Sequence, residues 1–378
     1  METKKSSFRV CHLTSVHAVT DARIFLKECA SLVKADYDVS LVVPLTISEE
    51  KNGIKIVGVP SSNTSRFFRL TTTMSRVCIA ALRTKADIFH FHDPELIGVG
   101  LLLRFVGKKV IYDVHEDYPL EIRNRYWLPR RLQKPTSCIL KFIENFSARC
   151  FDGIVAATPE IAKKFLPLNP RTVVIRNFPL LDEFLPENGI LWENRRDAVI
   201  SIGSIDISLG IKEIVEATGI VRRKKNAQLI LAGKFAPESL QGDMQSLPGW
   251  KNVDYRGFLS REEVKKLLNQ AKAGLVIRRP EVHYLVSYPT KLFEYMSSGL
   301  PVIAADFPLW RKIVEGAGCG LLVNPLDPKS IADAIIYILE HPEEAKKMGD
   351  KGREAVEQYY NWVNEEKKLL RMYEILLK

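Results

Sequence analysis

Short runs of β-branched and aliphatic residues alternate with longer stretches whose apolar positions recur every three to four residues. That alternation predicts strand–helix–strand units and parallel sheets. In the first half the strand-like runs are Arg9–Leu13, Val39–Val43, Ile54–Val59, Ile88–His92, Lys109–Asp113, Gly153–Ala157 and Thr172–Arg176, with helical patterns such as Arg23–Lys34 and Ser75–Arg83 between them. The rhythm restarts at Ala198–Gly203 and continues through Gln228–Ala232, Val253–Tyr255, Ala273–Ile277, Pro301–Ala304 and Gly320–Val323. Helices are expected there at Ile211–Arg222, Arg261–Ala271, Thr290–Ser298, Pro328–Glu340 and Pro342–Tyr359. Between the halves, Asn177–Arg196 carries Pro179, Pro186, Asn188 and Gly189 with little periodicity and reads as a linker. The expected organisation is a first α/β domain over 1–180, a linker over 181–196, a second α/β domain over 197–358, and a helix over 359–378 folding back to brace the first domain. Two such domains imply a cleft, and ligands of open parallel sheets bind outside the carboxyl ends of the strands.

Composition narrows the partners. The chain has 378 residues and a net charge of +10. Residues 1–180 hold 27 Lys and Arg against 17 Asp and Glu, whereas residues 181–378 hold 28 of each, so the whole excess lies in the first half. An anionic partner is expected on that side: phosphate, a lipid headgroup or nucleic acid. Six cysteines at 11, 29, 78, 138, 150 and 319 form no C-x-x-C pair and match no zinc or disulfide spacing, which suits a reducing cytosol. The start has no apolar stretch long enough for a signal peptide, and the most apolar run, Leu96–Val106, is broken by Arg104. A cytoplasmic protein is expected, at most peripheral on the inner face of the membrane.

The most informative stretch is Pro289-Thr290-Lys291-Leu292-Phe293-Glu294-Tyr295-Met296, followed by a Gly299-Leu300-Pro301 turn into the strand Val302-Ile303-Ala304. Pro289 limits where the helix begins, Thr290 can cap it, and its free N–H groups suit a phosphate. Glu294 stands about one turn further in, where a carboxylate can accept from ribose hydroxyls or simply be solvated. With Ser201-Ile202-Gly203, Gly210-Ile211, Val253–Gly257, Gly320–Val323 and Tyr360-Asn361-Trp362, this stretch resembles the group 1 (family 4) retaining glycosyltransferases. The resemblance implies the GT-B fold, two Rossmann-like domains facing a cleft, and transfer from a nucleotide-diphosphate sugar without metal. It also makes Glu294 the ribose contact and places Gly203, Ser287, Thr290, Lys291 and Leu292 around the donor.

The chain departs from the family pattern in two places. The first glutamate of the E-x7-E motif is replaced by Val286, with Ser287 or Glu281 as the nearest substitutes. The Arg and Lys usual for the diphosphate fall at Ser204 and Leu209. Two phosphates still need compensation, and Lys234, Arg278 or Arg279, and Lys291 are the candidates, each at a strand end or helix start.

In the first half, Tyr112-Asp113-Val114-His115-Glu116-Asp117 follows a strand, so His115 should sit at its carboxyl end. By resemblance His115 positions the donor sugar and stabilises developing charge, although a histidine bonded within a turn is the plainer alternative. Glu116 and Asp117 are adjacent, so at most one faces a ligand. His90 and His92 share one strand face, a spacing that can bind metal, but no third ligand of clear spacing is visible, and none is expected. His92 and Asp93, with Ser15, His17, Asp21 and Arg23 from the loop after the first strand, are candidate acceptor contacts; Thr20 or Asp21 can instead cap a helix. Lys27 and Arg23 together suit an acceptor phosphate. Two runs mixing cations with aromatics, Arg66–Arg69 and Arg123–Arg131, suit a membrane interface.

The expected function is retaining transfer of a hexosyl or N-acetylhexosaminyl group from a nucleotide sugar, UDP-linked by preference, to a lipid-linked saccharide in capsule or O-antigen synthesis. A nucleotide-sugar 2-epimerase of similar fold and a basic nucleic-acid-binding protein are the alternatives. No motif for reading bases supports the latter, and no cofactor is expected.

Overall fold

The computed structural model describes residues 8–60, 72–123, 128–184 and 192–378. The run Arg66–Arg69 and residues 124–127 of the second basic–aromatic run therefore lie outside the described residues. The chain divides into two compact units, Met1–Asn177 with Asn364–Lys378, and Phe178–Val363.

The first unit is built on β1 (Arg9–Leu13), β2 (Asp38–Val43), β3 (Glu49–Lys51), β4 (Ile54–Gly58), β5 (Ile88–Phe91), β6 (Lys109–Val114), β7 (Gly153–Ala156) and β8 (Thr172–Val174). They order as β3-β4-β2-β1-β5-β6-β7-β8, all neighbours parallel except β3 and β4. Period-two alternation splits the sheet's faces. Cys11, Leu13, Phe89, Phe91, Tyr112 and Val114 enter one apolar core. His12, His90 and Asp113, at the opposite parity, face the other way and are fully buried. β3 has no apolar signal because all three residues are exposed; it is joined to β4 by Asn52 and Gly53, with φ of 54° and 76°, the hairpin chemistry of an Asn-Gly pair.

The second unit has β9 (Ala198–Ile202), β10 (Gln228–Ala232), β11 (Val253–Tyr255), β12 (Ala273–Val276), β13 (Val302–Ala305) and β14 (Gly320–Val323), all parallel, in the order β11-β10-β9-β12-β13-β14. Its sheet is buried on both faces: Ile200 and Ile230 join one core, Val199, Leu229 and Leu231 the other. Within the stretch read as a linker, Phe184 and Trp192 are buried in the second unit's two cores. The last helix, Trp362–Leu377, brings Tyr373 onto the polar face of the first sheet, its hydroxyl 2.8 Å from His90 Nδ1 and 3.2 Å from His12 Nε2.

Candidate functional site

Each sheet reverses its strand order at one place, and there the loops diverge and leave a crevice at the carboxyl ends. In the first unit this is β1 against β5, exposing the loop after Leu13 and the loop beginning at His92. In the second it is β9 against β12, exposing the loop after Ile202 and the segment from Ile277.

At the first switch point the sequence has placed an unusual density of buried polar groups. After β1 the chain turns at Asp21, whose carboxylate accepts from the Arg23 and Ile24 N–H groups and starts a π-helical stretch, Ala22–Cys29. A π-helix aligns residues five apart, which brings Arg23 and Glu28 together: Arg23 Nε is 3.0 Å from Glu28 Oε1. The Arg23 guanidinium also makes a bidentate pair with Asp113, 2.9 Å on each oxygen, and donates to the Ile175 carbonyl at 2.9 Å. His12 Nδ1 lies 3.0 Å from His92 Nε2, and His92 Nδ1 and His115 Nε2 lie 3.2 and 3.1 Å from Asp113 Oδ2. Among these groups Asp21, with 27% of its side chain exposed, and His115, with 15%, reach the surface. Asp93 is consumed by the neighbouring loop, accepting from the Thr14 hydroxyl at 2.8 Å and the Ser15 N–H at 2.6 Å.

Burial and charge set the protonation states. Burial holds His12, His90 and His92 below the usual imidazole range, against which Asp113 works only partly. Burial would raise the Asp113 carboxyl, but the Arg23 charge and the His115 and His92 contacts hold it well below the usual range. Glu28 is pushed well up by burial and by Asp113 beside it. Burial thus opposes the charged forms of Glu28 and of the three innermost imidazoles, while Arg23 favours the charged form of Asp113. Glu28, His90, His92 and Asp113 each bring a donor atom within 4.8 Å of the others, although spacing along the chain showed no third ligand. The Arg23 cation sits against both carboxyls, while both Glu28 oxygens and His90 Nε2 are buried without a hydrogen-bond partner.

The second switch point is more open. The backbone of Gly203 donates to Ala232 O at 2.9 Å, and Gly233, at φ 153°, passes so close that a Cβ there would stand 1.7 Å from Gly203 O. Only glycine allows that crossing. Lys291 approaches from the helix Thr290–Ser297: its Cε would lie 3.7 Å from a Cβ on Gly203. Lys291 Nζ donates to Glu294 Oε2 at 2.6 Å, and Arg261 Nη2 lies 4.0 Å from Glu294 Oε1. A crevice lined by Ser201, Ser204, Leu209, Arg278 and Lys291 opens at these strand ends.

The structure therefore brings Gly203, Lys291 and Glu294 together, with Leu292 buried in the core behind them. Other expected donor contacts are placed differently. Thr290 is not the cap: Pro289 holds that position, so the first N–H groups have no side-chain acceptor. Arg279 donates to Glu213 at 2.5 Å, one turn into the helix Ile211–Arg222, while Arg278 lines the crevice with its guanidinium 4.5 Å from the Tyr284 ring. Lys234 is exposed, its ammonium 5.0 Å from the Phe258 ring. The Ser287 hydroxyl donates to Tyr284 O at 3.1 Å and ends a short turn.

In the first unit Arg23 and Lys27 are not open to an acceptor phosphate. Arg23 is buried against Asp113, and the Lys27 ammonium donates to Asn177 Oδ1 at 2.6 Å. Ser15, His92 and Asp93 are likewise buried and bonded internally. His17 stays part-exposed, its ring 5.3 Å from that of His115 and its Nδ1 3.3 Å from Asp21. Sequence reasoning missed His12, Glu28, Asp113 and Tyr373. For His12 a signal existed: it is the one polar residue among Val10-Cys11-His12-Leu13.

Comparison with known proteins bears on the family and the fold. Residues 187–355 match the model of the glycosyl transferases group 1, and residues 22–178 match that of glycosyltransferase family 4. A curated relative, the MMP α-(1→4)-mannosyltransferase of Mycolicibacterium hassiacum, is 24% identical over 348 residues, spanning 86% of this chain and 80% of its own. Among solved structures, sucrose-phosphate synthase of Thermosynechococcus elongatus superposes with a TM-score of 0.79 at 18% identity, covering 98% of this chain and 99% of its own. Anabaena HepE, solved with UDP and glucose, superposes at 0.74 and 13% identity, over 97% of this chain and 99% of its own.

Proposed function

The chain belongs to the group 1/family 4 glycosyltransferases, a GT-B enzyme using a nucleotide sugar, and from that premise we propose that it moves a hexosyl or N-acetylhexosaminyl group from a UDP-sugar, with retention, to a lipid-linked saccharide in surface-polysaccharide assembly. The observation that carries this reading is the meeting of Lys291, Glu294 and the Gly203 backbone at the β9 strand end. Glu294 accepts from the ribose hydroxyls. Lys291 and Arg278 line the same crevice as Ser204 and Leu209, where the family's usual cations are missing, and they neutralise the leaving diphosphate. The sugar C1–O bond breaks with its electron pair passing to the diphosphate, and the acceptor oxygen bonds to C1 on the same face. The acceptor proton passes to a departing phosphate oxygen. His115, its Nε2 held by Asp113, presents Nδ1 to accept from a sugar hydroxyl and so orients the sugar as charge develops at C1. These steps use no metal, and at the buried donor cluster of the first unit Arg23 already supplies the positive charge. The basic first half and the UDP and glucose held by HepE support a UDP donor and an anionic, lipid-linked acceptor.

Incubation with a panel of nucleotide sugars and NMR of the product anomer test this directly. UDP-sugar turnover with retained configuration and insensitivity to EDTA is expected. Glu294→Ala and His115→Ala should each lower turnover by roughly 100-fold or more with unchanged thermal unfolding. Near-normal transfer by either variant overturns its assigned role.

A further inference from the structure

The helix Arg130–Cys150 in the first unit carries its hydrophobicity on the wrong side for a globular protein. Its buried residues are Ser137, Glu144, Ser147 and Ala148. Glu144 accepts from the Tyr112 hydroxyl at 3.1 Å and from Lys164 at 2.8 Å, so the inward face is held by polar bonds. Leu132, Ile139, Phe142, Ile143 and Phe146 recur at helical spacing and are all exposed, Phe142 at 73%. The adjoining helix Ile97–Phe105 extends the apolar surface with Leu102 and with Phe105, exposed at 89%. Contiguous exposed apolar surface on this scale marks an interaction site.

Charge selects the occupant. The helix carries five cations, Arg130, Arg131, Lys134, Lys141 and Arg149, all exposed, and its one acid, Glu144, is the buried one. A protein partner or a second copy would have to bury all five against its own anions, and a second copy brings the same cations to a shared face. A bilayer containing anionic lipid meets both features together: aromatics and aliphatics enter the headgroup boundary and the cations meet the phosphates. We propose that the outward face of Arg130–Cys150, with Phe105 beside it, docks the enzyme on an anionic membrane surface. Among the described residues no helix is long and apolar enough to cross a membrane, so this contact is interfacial. The inference rests on the lipid-linked acceptor reading for its purpose, though not for its geometry.

Co-sedimentation of the full chain with phosphatidylcholine vesicles, with and without phosphatidylglycerol, tests the docking. Binding is expected with phosphatidylglycerol and should fall steeply with salt. The doubly substituted Phe142→Asp/Phe146→Asp chain should lose at least about tenfold in partitioning, since both rings lose their burial in the headgroup boundary. Lys134→Glu/Lys141→Glu should lose binding and its salt dependence while keeping its thermal unfolding. Both variants should retain wild-type transfer to a water-soluble acceptor, which separates this proposal from the acceptor reading: if that transfer is absent in all proteins alike, the acceptor reading fails and the docking result stands. Wild-type protein left in the supernatant with anionic vesicles overturns the proposal. So does unchanged binding by both variants, or a wild-type dimer that the Phe142 and Phe146 changes convert to monomer without any vesicle binding.

Discussion

The two switch points use polar residues in opposite ways. At β1 and β5, Arg23, Glu28, Asp93 and Asp113 are buried, Arg23 pairing with Asp113 and Glu28 and Asp93 accepting from Thr14 and Ser15, while Asp21, His17 and His115 keep part of their side chains in solvent. At β9 and β12, a part-exposed Lys291 bonds the buried Glu294, and Arg278 lies over the Tyr284 ring. The first arrangement is a fixed platform that orients one histidine. The second is a set of donors and an acceptor whose internal bonds a ligand can replace. The number of charged residues thus says little about a site until their partners are known.

The largest effect expected from breaking this contrast is on stability in the first unit. Arg23→Met leaves Asp113 charged and buried without its guanidinium, and should cost about 3–5 kcal/mol in urea unfolding. A loss below about 1 kcal/mol would show that the network is not what holds this face together. In the second unit the vulnerable point is backbone rather than charge. Gly233→Ala forces both a disfavoured φ and a contact with Gly203 O, for a cost of about 2–4 kcal/mol, with UDP binding lost alongside. Lys291→Ala should change stability by less than about 0.5 kcal/mol, because the side chain is part-exposed. It should nonetheless weaken UDP about tenfold, equivalent to about 1.4 kcal/mol. If the nucleotide affinity of Lys291→Ala equals wild type by calorimetry, another group compensates the diphosphate.

What could be read from sequence follows the range of the interaction. Strand positions were legible because period two is local, and His90 and His92 were placed on one face for that reason. The edge strand Glu49–Lys51 was not, since its residues are all polar, yet Asn52-Gly53 was there as a turn signal. Glu28 and Asp113 stand 85 positions apart along the chain and meet only through Arg23 and the strand order, which no local pattern encodes. The same limit explains Arg278 and Arg279. Both were visible at a strand end, but which one turns to the crevice depends on Glu213, far away in sequence, capturing Arg279. The motif from Pro289 to Ala304 was legible because its chemistry lies within two turns of one helix.

The smallest effect separates the histidines of the platform from the one at its rim. Burial lowers His12, His90 and His92, so an unfolded chain binds protons below about pH 6.5 that the folded one refuses, and each such histidine withdraws up to about 1.4 kcal/mol per pH unit there. Glu28, with its raised carboxyl, opposes that slope above about pH 4.5, since the folded chain then holds the extra proton. His17 has the opposite sign to the buried imidazoles. Its bond to Asp21 raises it above 6.5 against the pull of burial, so its pairing stabilises fully below that value and fades as pH rises through the raised one. Imidazole NMR should show His17 titrating above pH 6.5, with His12 and His90 titrating well below it. Comparing His17→Gln with wild type in thermal unfolding should show a deficit below about 1 kcal/mol at pH 5.5 that disappears at pH 8. A deficit that instead grows with pH would place His17 among the buried, neutral imidazoles, and the division between platform and rim would have to be drawn elsewhere.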